Sequence, residues 1–167
     1  MLFEIDVSGQ DILSGDYAIA VANNDKLVYG FRFTDSLVFA LNNNYNLNKF
    51  RYQGNNEKVK YKIRLYSIAV YYIFKRIIKE NFDILQEKIT LNICRDFSGH
   101  ENDIKSNFEY FLKEKLKLNI ANFNYCRLPH DSNADRYAYI FRKDTKNIYQ
   151  NLIKIKKEEF EEFLKKK

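Results

Sequence analysis

A change of hydrophobic period limits the fold of this chain more than any other feature of its sequence. Up to residue 33 the apolar side chains come in short alternating runs, in which Phe3, Ile5 and Val7 point one way and Leu2, Glu4, Asp6 and Ser8 the other. From residue 57 to 82 the period lengthens. Val59, Ile63, Val70, Ile73, Phe74 and Ile77 recur at three- and four-residue steps, Tyr66 lies near the same side, and Lys58, Lys62, Arg76 and Lys79 take other faces. Strands followed by a long amphipathic helix place the chain among α/β folds.

Strands are expected at 2–9, 17–22 and 27–33, and the break from Asn23 to Leu27 is hairpin-sized, so these three should form an antiparallel meander. In the segment 35–56, residues 36–41 suit a short helix or a strand, and the rest is an asparagine-rich loop. Asn55 or Asn56 is placed to cap the long helix, leaving Glu57 in its first turn. A strand at 88–97, a helix at 101–118 and a strand at 122–127 follow. After Pro129, a helix over 133–151 has Ser132 or Asp131 as its cap, with Ala134, Ala138 and Phe141 facing inward, joined by Tyr137 and Ile148 at its margins. The order β-β-β-α-β-α-β-α predicts a mixed five-stranded sheet with strands one to three antiparallel and helices on both faces. Residues 1–151 form the domain; 152–167, rich in Lys and Glu, is expected as a charged helical extension with a frayed end.

Composition narrows the partners. Apolar residues make up 46% and charged residues 30%, the balance of a soluble globular protein. The net charge of +6, from 28 Lys and Arg against 22 Asp and Glu, favours an acidic partner such as nucleic acid, and 13 tyrosines offer ring faces for bases. Cys94 and Cys126 read as small buried hydrophobes of a reducing compartment, and no Cys/His cluster has zinc-ligand spacing. The apolar run at 66–74 stops at Lys75-Arg76, too short for a membrane span, and no signal peptide opens the chain. A cytoplasmic location without membrane attachment follows as the expectation.

Four acidic residues stand at comparable ends of these elements. Asp6 lies in the first strand, Glu57 in the first turn of the long helix, Asp96 at the end of the fourth strand and Asp135 near the start of the last core helix. If strands one and four are neighbours, Asp6 and Asp96 converge, and helices entering over the same edge add the other two. Carboxylates that repel one another are tolerated together when a divalent cation binds them, and oxygen ligands suit Mg²⁺ or Mn²⁺ better than zinc. Two such ions about 4 Å apart can activate water and hold a scissile phosphate. Each acid also has a plainer role: Asp6 and Asp96 as strand-end or turn residues, Asp135 and Glu57 as first-turn acids. Lys58, Lys60, Lys62 and Arg64, with Arg95, Arg127 and Arg136 beside the site elements, form a possible phosphate footprint or ordinary solvated surface. His100 and His130 are the two histidines able to shuttle a proton.

This arrangement resembles the ribonuclease H-like superfamily, which includes ribonucleases H, Holliday-junction resolvases and related nucleases. Asp6-Val7-Ser8 is similar to the acidic residue and Gly-Ser of the first strand in type 1 ribonucleases H. Asn133-Ala134-Asp135-Arg136-Tyr137-Ala138 is similar to their Asn-x-x-Ala/Cys-Asp-x-Leu-Ala segment, one or two residues shorter between Asn and Asp. The glycine-rich turn after strand one and the tryptophan-bearing basic protrusion are absent. The resemblance implies a divalent-metal-dependent nuclease acting on RNA, DNA or a hybrid, with Asp6, Glu57, Asp96 and Asp135 as metal ligands. It also implies that His130 assists product release. The alternative is a non-catalytic nucleic-acid-binding or protein-interaction domain on the same sheet.

Overall fold

The computed structural model describes residues 1–54 and 57–166. A single five-stranded sheet is built from β1 (Leu2–Ser8), β2 (Tyr17–Asn23), β3 (Val28–Phe33), β4 (Lys88–Cys94) and β5 (Asn119–Cys126), in the order β3-β2-β1-β4-β5. β1 pairs antiparallel with β2, and β2 antiparallel with β3, which is the expected meander. β4 runs parallel to β1 and β5 parallel to β4, so β1 is the central strand. Cys94 and Cys126 are register partners on β4 and β5, and both are free thiols.

The two faces of the sheet carry residues of different size. β2 is buried throughout; its Tyr17, Ile19 and Val21 join the large core, while Ala18, Ala20 and Ala22 face the other way. Against these alanines lies α4 (Asn133–Lys143), whose Ala134 and Ala138 are fully buried. Ala20 pairs in register with Gly30 of β3, and a Cβ on Gly30 would stand 2.3 Å from Cδ2 of Phe141. The strip of small residues thus lets a helix lie close on the sheet and seats one aromatic ring over a glycine.

The large core is covered by α2 (Glu57–Glu80), α3 (Glu101–Phe108) and the π-helical turns Glu109–Lys115 that continue it. Between Ile63 and Val70, α2 is buried all round, because the sheet lies on one side and α3 with the chain terminus on the other. Helices therefore cover both faces, as the element order predicts. No helix among the described residues is long and apolar enough to cross a membrane.

Several boundaries differ from expectation. The segment after β3 is mostly helical: α1 (Asp35–Asn46), where the Thr34 hydroxyl caps Leu37 N–H at 3.4 Å. β4 ends at Cys94, so Asp96 belongs to the following turn rather than to the strand. α4 stops at Lys143, and the buried Asp144 takes over, accepting N–H bonds from Ile148 and Tyr149, both at 3.0 Å. Ile148 is consequently outside the helix and 70% exposed. Of the tail expected as a charged extension, only α5 (Lys157–Glu162) is helical. Its Phe160 is fully buried against Phe31 and Phe33, and Leu164 is buried as well, so the tail completes the main core instead of hanging from it. Three apolar side chains at 155, 160 and 164 outweigh the charges around them. The capping role considered for Asn55 or Asn56 lies outside the described residues.

Candidate functional site

Asp6, Asp96 and Asp135 line one cleft of about 440 Å³, together with Arg95, Arg127, His130, Val7, Gly9, Cys94 and Leu128. The cleft opens at the C-terminal ends of the parallel strands β1 and β4, where the ladder ends and the chain turns away. Each acid reaches it from a different element. Asp6 sits on the α4 face of β1, opposite Ala20, and is 8% exposed. Asp96 follows β4. Asp135 occupies the first turn of α4, and the Ser132 hydroxyl accepts its N–H at 3.1 Å, so Ser132 rather than Asp131 is the cap. Arg142 holds the far end of α4 through Ser8 Oγ at 2.8 Å and Asp16 Oδ2 at 2.9 Å. The cap at one end and the guanidinium at the other fix how α4 presents Asp135 to β1.

The site is electrostatically tense. Burial pushes the Asp6 carboxyl above its ordinary range. The Val7 N–H donates to it at 2.8 Å and, with the neighbouring Cys94 thiol, pulls it down, while Asp135 pushes it up again. Burial also raises the neighbouring Glu4, with Asp6 and then Asp131 adding to the effect. The Cys94 thiol is driven well up by burial and by Asp6 beside it. Asp96 is exposed as a residue, but its carboxyl lies against protein atoms, and that desolvation raises it; the Tyr17 hydroxyl, donating to Oδ2 at 2.5 Å, opposes the rise. Tyr17 is fully buried, which with Asp96 pushes its own hydroxyl far above the usual phenol range.

Other expected site residues stand elsewhere. Glu57 does not line the cleft; its carboxylate accepts from Lys60 Nζ at 3.1 Å within the first turn of α2. Lys62 reaches Asp11 Oδ2 at 2.6 Å. For Asp11, desolvation alone would raise the carboxyl, but Lys62 and the Leu13 N–H outweigh it and leave it below the ordinary range. Lys58 is exposed and adds its charge near Asp11. Arg64 is buried in the helical layer, so it belongs to no open footprint beside this cleft. Arg136 is exposed on α4 and does not line the cleft either. His100 bonds Asp103 at 3.1 Å, away from it.

Tyr17, which holds Asp96, and Cys94, which lines the cleft beside Asp6, were not legible as site residues. Tyr17 carried a signal, since an antiparallel β2 must start beside the end of β1. Among the described residues, no three of the His, Cys, Asp and Glu side chains are grouped so as to hold a metal ion. No protein-family model, curated protein or solved structure matches the chain.

Proposed function

We propose that this chain is a divergent ribonuclease H-like nuclease that hydrolyses phosphodiester bonds of nucleic acid at the cleft of Asp6, Asp96 and Asp135. One observation carries the reading: three carboxylates from three separate elements line a single cleft at the strand ends, rimmed by Arg95, Arg127 and His130. The strand order, with an antiparallel meander and two parallel strands beyond the central β1, supports the same fold reading.

The donors fit a hard divalent cation in chemistry. Mg²⁺ is commonly held by one or two carboxylates, with water and substrate phosphate completing its shell, and Asp6 with Asp135 is such a pair. Glu57 lies outside the cleft, so these residues do not amount to the four-carboxylate, two-ion set that the resemblance implies. When bound, Mg²⁺ or Mn²⁺ supplies Lewis acidity toward a phosphoryl oxygen and lowers the pKa of a coordinated water. Asp6 and Asp135 offer negative oxygens whose mutual repulsion a cation relieves. Arg95 and Arg127 hold phosphate at the rim. Asp96, oriented by Tyr17, accepts a proton or orients water, and His130 is placed at the mouth to exchange protons with the leaving strand.

The experiment is cleavage of labelled RNA, DNA, hybrid and branched substrates in Mg²⁺ or Mn²⁺, with Asp6→Asn and Asp135→Asn beside the wild type. Cleavage that both variants lose while keeping the wild-type circular dichroism supports the proposal. No turnover with any substrate and either ion overturns it. A second reading, a non-catalytic nucleic-acid-binding domain, is favoured by the Tyr17 bond that occupies Asp96 and by Glu57 standing apart. It predicts binding without turnover, unaffected by either ion.

A further inference from the structure

Arg64 lies in the first third of α2, 9% exposed, yet among the described residues no carboxylate pairs with it. Its Nε donates to the Phe163 carbonyl at 3.3 Å and its Nη1 to Asn107 Oδ1 at 2.8 Å. The guanidinium carbon stands 4.5 Å from the Phe111 ring centre and 5.2 Å from that of Tyr110. Neutral oxygens and ring faces soften the burial of a cation but do not neutralise it, and a buried guanidinium ordinarily has an acidic partner. Two of its five N–H groups are used in those bonds, and the residue lines a cavity of about 370 Å³.

That cavity gathers more positive charge. Arg51, Lys165 and Lys166 line it with Arg64, against the single acid Glu162. The backbone brings them there: Phe50 bridges Lys165 antiparallel, and Arg51 N–H donates to the Leu164 carbonyl at 3.2 Å. Burial is the main influence that pulls the Arg64 guanidinium down; the nearby Tyr52 opposes it, and repulsion from the like charge of Arg51 adds to it. The tail is held against this repulsion by the burial of Phe160 and Leu164. The cavity shares no lining residue with the carboxylate cleft.

We infer that this cavity is a binding site for a phosphate group, received by the Arg64 guanidinium from inside and by Arg51 and Lys165 at the rim. A guanidinium fork matches phosphate oxygens in geometry as well as charge, and the half-buried rings of Tyr110 and Phe163 flank it on the cavity wall. The volume leaves room beyond one phosphate, so the group can belong to a free phosphate, to a nucleoside monophosphate or to the 5′ end of a nucleic-acid strand. The inference does not depend on the nuclease proposal.

The test is thermal unfolding of the whole chain against inorganic phosphate, adenosine monophosphate, and one oligonucleotide with and without a 5′-phosphate, each compared with chloride at equal ionic strength. Saturable stabilisation is expected, about 5 °C or more at a hundredfold excess over Kd. The R51Q/K165Q double variant, altered at two exposed positions and relieved of part of the repulsion, should have an unliganded Tm no lower than wild type and lose the response; Arg64→Lys, keeping charge without the fork, should weaken it at least tenfold. Asp6→Asn should respond as the wild type does, which separates this site from the cleft. An equal response to inorganic phosphate and the nucleotide marks a free-phosphate source, and a response confined to the 5′-phosphorylated strand marks a strand end. No saturable effect with any probe, or an effect that survives R51Q/K165Q, overturns the inference.

Discussion

Asp6 on the central strand and Asp135 in the first turn of α4 line the same cleft, and the charge of Asp135 adds to burial in raising the Asp6 carboxyl. Neither position is accidental in the fold. The first belongs to the central strand of the five, and the second to a helix capped by Ser132 and anchored by Arg142. A like-charged pair held this firmly is a cost to stability, and its consequences are measurable.

Asp6 sets a pH dependence with a definite sign. Burial holds its carboxyl above 3.8, so the folded chain keeps the proton at a pH where the unfolded chain has released it. Its contribution to stability is therefore fullest at acidic pH and is lost as pH rises through the folded value. Asp6→Asn retains an acceptor for the Val7 N–H and removes the charge. It should raise Tm relative to wild type at neutral pH, with the gap closing toward about pH 4. A variant less stable than wild type at neutral pH would refute this account of the site.

Tyr17→Phe removes the one hydroxyl that lowers Asp96. The Asp96 carboxyl should then titrate at higher pH, as read from its side-chain carbon signal in an NMR titration. The lost bond should cost about 1 kcal/mol in denaturant unfolding. If cleavage is observed, the acid limb of its pH profile should move the same way. An unchanged Asp96 titration would mean that Tyr17 only fills space.

Gly30→Ala tests the close approach of α4 to the sheet. The added methyl would stand 2.3 Å from Phe141 Cδ2 and 2.5 Å from the Ile19 carbonyl, so ring and backbone must move. The expected cost is about 1–3 kcal/mol. In a Phe141→Leu background the same change should cost less, by at least about 0.5 kcal/mol, because the two positions share one space. Additive costs would place the strain at Ile19 alone.

Phe160→Ala tests whether the tail belongs to the core. Phe160 is fully buried, with ring centres of Phe31 and Phe33 each 5.7 Å away. Its truncation should cost about 3–5 kcal/mol and lower Tm without splitting the transition. A cost below about 1 kcal/mol would restore the tail to an appended extension.

Taken by itself, the sequence determined the local periods, and through them the elements: the alternation around Phe3, Ile5 and Val7, the long helix from Glu57, and the start of α4 at Asn133 with Ser132 or Asp131 as its cap. It also placed Asp6, Asp96 and Asp135 at element ends, because strand and helix periods say on which side a residue emerges. Tertiary structure decided the rest. Arg64 looked like one more basic residue on a helix, and only the layer formed by α3 and the returning tail buried it. Glu57 kept its place in the first turn, but there it pairs with Lys60 and does not line the cleft. Tyr17 read as an apolar strand residue until antiparallel pairing set its hydroxyl beside Asp96. A period fixes which face a side chain takes, whereas its partner depends on which other face packs there, and that is settled by contacts between segments far apart in the chain.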